Sequence, residues 1–495
     1  MPCTKFLKLT VLSFSFGIFA HPVAEHGLMR RDQQQHLAST ESYTLVNSTS
    51  GVRPYRKYMT TNATSPKFVI ERSGQAIAPG SLFLTLSNLL GTGENWQGAV
   101  IMSSDGDLVW AGPKGATSNF RKQTYNNNPV ITTWTGDGSA AAAGGASHGY
   151  GQVQIYNFQY EVIQTVCPTA TDLNIQFSPG TTSTCVCDVH ESYIKKGNIM
   201  LVTVYNLTQA DLTSAGGPQD GWITNSLFVE VDIETSKALF VWNPLDHVPI
   251  SATHESWQHD ARLHSEASSD KVLYTVFNDY NGDFSTKNPS TGITLILDMP
   301  ANNSKKSLQP YAYILDPAQP LPALAEGSYQ LIHNDTAFLG YGVFPIVKEF
   351  NLRSGSSSNL KYTAHFAYEN YTASSYRSFK FDWHATPCAP IDLVIAAVGA
   401  NATTGGNYTA PGYGSGSFSG SYEKTGYVSW KGATDVTTYG IFAQSNGSGD
   451  CVDTGYFFDK KGFETAFEIS TGLPSIQIVA FDGSKELVRS STTAV

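Results

Sequence analysis

The sequence predicts an all-β protein, a β-propeller followed by a small β-sandwich domain. Charged residues make up only 15% of its 495 residues, while glycine and the aromatics are plentiful, a balance suited to sheets joined by many turns. From about residue 68 the chain is a succession of short apolar alternations separated by Gly, Asn and Asp turns, and no long window keeps a helical period. A chain of this length exceeds one ordinary core, so two domains are expected.

Two hairpins define the texture. In GAVIMSSDGDLVWAGP, Val100 to Met102 and Leu108 to Trp110 flank a turn at Asp105-Gly106, and SLFVEVDIETSKALFVWNPL repeats the plan with Phe228 to Ile233 and Leu239 to Trp242. Trp110 and Trp242 stand 132 residues apart, which reads as three steps of about 44, the period of a four-stranded propeller blade. A second repeat is richer: residues 188–206 (DVHESYIKKGNIMLVTVYN) and 257–279 (WQHDARLHSEASSDKVLYTVFND) share the order His, acid, polar turn, then a strand ending Thr-Val-aromatic-Asn. The innermost strand of each blade lines a propeller's central channel, so this equivalence aims His190 and His259 at one axial site.

The flanks are read separately. Residues 1–20 carry Lys5 and Lys8 and then an apolar run too short to span a bilayer, the pattern of a cleaved secretory signal. Residues 21–67 form a polar N-terminal segment, with little fixed structure expected before about 55. The propeller is assigned to 68–386, and 387–495, after the proline-bounded segment from Pro387 to Pro390, to the sandwich-like domain. Short strands are expected there at 393–398, 427–430, 438–443 and 475–481, around a low-complexity loop at about 402–422.

The net charge of −10 and the lack of any basic block argue against a nucleic-acid partner. With the signal removed, a soluble extracellular protein without a membrane segment is expected. Asn-x-Ser/Thr sequons at Asn47, Asn62, Asn206, Asn302, Asn334, Asn370, Asn401, Asn407 and Asn446 fit that route. An oxidising compartment favours pairing the cysteines. The expected pairs are Cys388 with Cys451, and Cys167 with Cys185 or Cys187, with one cysteine left over.

The stretch SATHESWQHDARLH crowds His254, His259 and His264 five residues apart. That spacing alternates faces on a strand and does not converge on a helix, so no local metal site is predicted. No Gly-x-Ser-x-Gly elbow supports a serine hydrolase. Asp107, Asp188, Glu191, Asp260 and Glu266 are available for glycoside cleavage near a propeller axis, and their spacing selects no pair. The histidine pair makes a stronger case, because a neutral imidazole is a competent nucleophile toward sulfuryl or phosphoryl groups and a neighbouring guanidinium can hold the transferred anion. Arg262, three residues after His259, is placed for this only if the strand alternation is broken near Asp260. The plainer alternative makes both histidines blade residues bonded to the next blade.

The blocks GAVIMSSDGDLVWAGP, NFRKQTYNNNPVITTW, SHGYGQVQIYN, DVHE, GGPQDGWITNSLFVEVDIET, LFVWNPLDHVPIS and SWQHDARLH resemble, in order, those of the fungal branch of the arylsulfotransferase family, with YVSWKGATDVTTYGIF and GFETAFEI resembling the small domain that follows. The likeness spans about residues 68 to 490. It implies a six-bladed propeller that moves sulfuryl groups between phenols through a sulfohistidine, with no nucleotide sulfate donor and no cofactor. It further implies His259 as the nucleophile, His190 as a second catalytic histidine polarising the transferred group, and Arg262 and His148 as substrate-binding residues, His148 at the channel mouth. The sequence departs from the pattern at 251–257, where the family carries about one more blade, so a five-bladed or open ring is expected here. The alternative function is a non-catalytic secreted propeller that binds glycan or cell-wall material through aromatic-rich loops.

Overall fold

The computed structural model describes residues 35–47, 54–87, 98–138, 148–177, 180–252, 258–268, 271–279, 288–298, 308–333, 335–352, 359–368, 373–397, 424–444, 450–469 and 473–495. Residues 1–20, expected to be a secretory signal, His254, the 402–422 loop and the sequons at Asn302, Asn334, Asn370, Asn401, Asn407 and Asn446 lie outside the described residues.

Five antiparallel sheets of four strands follow one another as propeller blades. The second runs through Thr117–Tyr125, Asn128–Asp137, Tyr150–Tyr156 and Val162–Val166, and the third through Ser192–Lys195, Ile199–Ala210, Gly221–Asp232 and Ala238–Trp242. The fourth comprises Gln258–Ser268, Lys271–Asn278, Thr291–Asp298 and Leu308–Ile314, and the fifth Ser328–Ile332, Thr336–Gly340, Ile346–Asn351 and Asn359–His365. The first blade is built from both ends of the propeller. Its inner strand, Ser374–Phe381, pairs with Ser81–Ser87, which continues to Gly98–Met102 and Leu108–Lys114. The fifth blade gains Val69–Arg72 as an outer strand, so the chain's return fastens the ring twice.

The expected hairpins form where the alternation placed them. Gly106 takes a φ of 83° at the turn after Met102 and donates its N–H to the Ser103 carbonyl at 3.0 Å. The tryptophan spacing was misread, however. Trp110 and Trp242 lie in the fourth strands of the first and third blades, two blades apart. The long hairpin Ile199–Ala210/Gly221–Asp232 and the excursions around it stretch the repeat, so the inner strands of the second to fifth blades recur at about seventy residues, as in the Asp260 to Tyr329 contact 69 residues apart.

Each blade interface except one is filled by apolar side chains from the two facing sheets. Phe83, Ile101 and Trp110 meet Phe120 and Ile131 between the first and second blades, and Trp134, Val153 and Ile155 meet Met200, Val202 and Val229 between the second and third. Phe277 and Ile314 meet Tyr329 and Leu339 between the fourth and fifth, and Phe338, Val347 and Tyr362 meet Leu84 and Met102 between the fifth and first. Among the described residues no such core joins the third blade to the fourth. There the facing sheets leave Tyr193, Phe228 and Phe240 on one side and Leu263, Tyr311 and Tyr313 on the other substantially exposed. Among the described residues the ring therefore shows five blades and one sector without an apolar core, at the junction where the sequence departs from its resemblance.

The last 105 residues form two packed sheets around Trp430, Tyr439, Phe458, Phe467 and Ile478. Their strands include Asp392–Ala397, Lys424–Ser429, Thr438–Ala443 and Ser475–Asp482. The expectation of little structure before residue 55 is corrected. Gln35–His36 pairs in parallel with Val452–Asp459, and Ser39–Glu41 pairs with Thr465–Ile469, so the N-terminal segment supplies a strand to each sheet. Polar strands lacking alternation read as loop in sequence and become strands because they satisfy exposed sheet edges. Among the described residues no helix is long and apolar enough to cross a membrane.

The cysteines also differ from expectation. Cys167 pairs with Cys185, their Cα atoms 4.9 Å apart. Cys187 is buried with a free thiol, and Cys451 is free rather than bonded to Cys388, which is itself disulfide-bonded. Cys185 is the partner of Cys167, while the Cys187 thiol lies buried 3.9 Å from the Val166 carbonyl oxygen.

An open sector makes a testable difference in stability. Leu339→Ala, in the filled core between the fourth and fifth blades, is expected to cost about 3 kcal/mol, whereas Leu263→Ala, on the open face, costs less than about 1 kcal/mol; chemical denaturation of both variants measures the contrast.

Candidate functional site

The open ends of the inner strands converge on the axis, and three of these strands carry β-bulges there. The register slips between Ser118 and Arg121, between His259 and Arg262, and between Ser375 and Ser378. At two of the bulges the left-handed residue is an Asn or Asp, Asn119 at φ 51° and Asp260 at φ 54°, the non-glycine types that adopt this conformation most readily. Each bulge re-aims the arginine two residues on. This resolves the alternation problem: His259 and Arg262, which a regular strand would send to opposite faces, both line one axial cavity of about 1080 Å³.

His190 and His259 meet across that cavity with ring centroids 6.5 Å apart and planes inclined by 27°. Each is oriented from behind by a fully buried aspartate. His190 Nδ1 lies 2.6 Å from Asp188 Oδ2, and His259 Nδ1 lies 2.8 Å from Asp279 Oδ2. Engaging Nδ1 turns the opposite edge of each ring, which carries Nε2, toward the cavity.

The two dyads are electrostatically unlike. Burial alone would raise the Asp188 carboxyl, but the His190 ring and hydrogen bonds from the Gly149 and His190 N–H groups outweigh it and hold the group below the ordinary aspartate range. The Thr203 hydroxyl donates to it as well. A side chain at residue 149 would bring its Cβ within 2.9 Å of the Asp137 carbonyl, so glycine permits this close backbone approach. Asp279 goes the other way, pushed up to about 9 by burial and then by the neighbouring Glu326 carboxyl. Glu326 is itself raised to about 7 by burial.

Beside the histidines lies a cluster of three guanidiniums and two carboxylates. Arg262 Nη1 donates to Glu191 Oε2 at 2.6 Å, and its Nη2 lies 2.6 Å from Asp260 Oδ1. Arg377 Nη1 donates to the same Glu191 oxygen at 3.0 Å and to Asn119 Oδ1 at 2.7 Å. Burial pushes the Glu191 carboxyl up, yet Arg262, Arg377 and Arg121 outweigh it and hold it at about 2. The cluster thus retains one positive charge in excess. Arg121 carries that excess: burial and the Arg262 charge lower it to about 10, and its buried Nε and Nη1 have no hydrogen-bond partner in the protein. Tyr376 completes the site with its ring edge-on to both histidines, at 6.0 Å from His190 and 6.5 Å from His259. Its buried hydroxyl lacks a hydrogen-bond partner and is pushed well above the ordinary tyrosine range by burial, so it remains a proton-bearing donor.

The sequence thus brought His190, His259 and Arg262 to one place. His148 is a correction to the expected channel mouth: it is buried, stacks against Tyr150 and Tyr205, and sits behind Tyr205, which in turn packs on the His190 ring. Of the five carboxylates considered for glycoside cleavage, Asp188 backs His190, Glu191 and Asp260 are in the arginine cluster, and each is already engaged. Asp107 instead bonds Arg56 at 3.0 Å, and the Glu266 side chain lies outside the described residues. His264 Nε2 pairs with the Thr275 hydroxyl, and His247 stacks on Trp242, so neither joins His259. Arg121, Asp279, Glu326, Tyr376 and Arg377 were missed. The shared spacing of Asn119 to Arg121 and Asp260 to Arg262 was a usable signal for the first of these. Nothing local in the sequence marks the others.

The fold and site are those of a β-propeller with a paired-histidine, arginine-rich centre on its axis. Residues 121–256 and 250–357 match the family model described as Arylsulfotransferase (ASST), and the match supports that family. The two matched segments overlap at 250–256, the junction between the third and fourth blades. No curated protein matches the chain. Among solved structures, a protein of unknown function from Bacteroides caccae is 12% identical over 56% of this chain and 71% of its own, with a TM-score of 0.22. The periplasmic gluconolactonase PpgL of Pseudomonas aeruginosa is 11% identical over 84% and 96%, with a TM-score of 0.24.

The raised Glu326 carboxyl gives a pH signature. The fold favours its neutral form, so its contribution to stability is complete below about 4.5 and is lost as pH rises through about 7. Thermal unfolding followed across that interval should show a decline that Glu326→Gln flattens. The depressed Glu191 works oppositely, its contribution being present above 4.5 and lost as pH falls toward 2.

Proposed function

We propose that this chain is a secreted arylsulfotransferase of the fungal type, transferring sulfuryl groups between phenols through His259. The carrying observation is the pair of aspartate-anchored imidazoles facing each other across 6.5 Å beside an uncompensated guanidinium. A tetrahedral sulfuryl group bears negative charge on its oxygens, which Arg121 and the Tyr376 hydroxyl are placed to receive.

In the first step His259 Nε2 bonds to sulfur as the S–O bond to the aryl group breaks. The departing phenolate takes a proton from His190, whose imidazolium the ionised Asp188 supports. In the second step the oxygen of an acceptor phenol attacks the same sulfur, the N–S bond breaks, and the acceptor's proton passes to His190. The donor leaves as a phenol and the acceptor as an aryl sulfate, with both histidines restored. Asp279 stays neutral while its Oδ2 accepts from the His259 Nδ1–H, which leaves the Nε2 lone pair for attack.

Secretion is supported by the exposure of Asn47 and Asn62 and by the Cys167–Cys185 disulfide. The open sector and the two-part family match at 250–256 support the reading that one family blade is absent between the third and fourth.

Transfer from 4-nitrophenyl sulfate to a phenol acceptor tests the assignment. His259→Ala is expected to lower the rate by 10³-fold or more, and Tyr376→Phe by about tenfold. Activity that survives His259→Ala removes this residue as nucleophile.

A further inference from the structure

Among the described residues the axial cavity is not closed at its side. It continues between the third and fourth blades, where Tyr193, Leu201 and Phe228 form one wall and Leu263 and Tyr274 the other. These residues occupy the sheet faces that carry no interblade core, and Phe228 is 42% and Leu263 65% exposed. The inner end of this slot is cationic. Arg121, its Nε and Nη1 unpartnered, lies 5.7 Å from the Tyr193 ring, and the two histidines stand beside it. A cavity of about 1080 Å³ reaches past the ~300–1,000 Å³ usual for a drug-sized ligand, far more than a one-ring phenyl sulfate fills.

We propose that this slot is a lateral binding subsite for an extended aromatic sulfate, a polycyclic or oligomeric phenol carrying one sulfate. The sulfate lies at the inner end beside Arg121 and the histidine pair, and the fused or linked rings run outward between Phe228 and Tyr193 on one side and Leu263 and Tyr274 on the other. Charge complementarity fixes the direction, since the cation is at the axis and the walls beyond it are apolar and aromatic. The sulfated end rests on the proposed transfer chemistry, while the aromatic slot does not.

Fluorescence titration of the full chain with 1-pyrenyl sulfate, with competition by 4-nitrophenyl sulfate, tests the proposal. The pyrenyl ester is expected to bind about tenfold more tightly, because its extra rings bury apolar surface in the slot. Phe228→Ser and Leu263→Ser, at exposed positions that tolerate substitution, should bring the ratio of the two affinities toward one. Arg121→Gln should weaken the pyrenyl sulfate and leave unsulfated 1-pyrenol unaffected. Equal affinities in the parent chain, or a preference that both slot variants retain, overturn the proposal. So does a chain that sediments as a dimer and binds no probe, which assigns the slot to a second copy. Pyrenyl sulfate binding that depends on the slot, without transfer to any phenol, upholds the subsite and refutes the transfer reading alone.

Discussion

The Glu191 carboxylate ties the ring together where its packing fails. It comes from the third blade and accepts from Arg262 of the fourth and Arg377 of the first, spanning the sector that, among the described residues, holds no apolar core. Burying such a charge is costly unless its partners are in place. Here they are supplied by bulged strands on two other blades, so the carboxylate, the bulges and the five-blade arrangement depend on one another. The same cluster leaves Arg121 unsatisfied beside the histidines, and thereby creates the positive site on which the proposed transfer rests.

The two histidines owe their usefulness to what lies behind them. One buried aspartate is kept ionised by backbone N–H donors and its histidine, and the other is kept protonated by burial and a neighbouring carboxyl. Two imidazoles in similar strands are thereby given different protonation partners, the division of labour that a two-step transfer requires.

The sequence made the sheet texture, the hairpins and the two equivalent histidine strands legible because these depend on local alternation and on a repeated motif. It placed His190 and His259 together although they are far apart in the chain, since inner strands of any propeller share the axis. It misjudged the repeat length, because two tryptophans in the fourth strands of two blades do not report how many blades lie between them. It missed Tyr376 and Arg377 for a related reason: their strand closes the first blade from the far end of the propeller, a pairing no local pattern reveals. Asp279 and Glu326 carry no signal beyond being acids, and only burial gives them a role. The N-terminal strands were unreadable in the same way, being strands only because the C-terminal sheets offer edges to them.

The central claim is that His259 is covalently modified while His190 handles protons. Incubating the chain with 4-nitrophenyl sulfate in the absence of acceptor, quenching in alkali and mapping peptides by mass spectrometry examines this directly. The account predicts a single added sulfuryl group on the peptide bearing His259, lost on adding a phenol. A sulfuryl group on the His190 peptide instead, or turnover with no histidine modified, would contradict it.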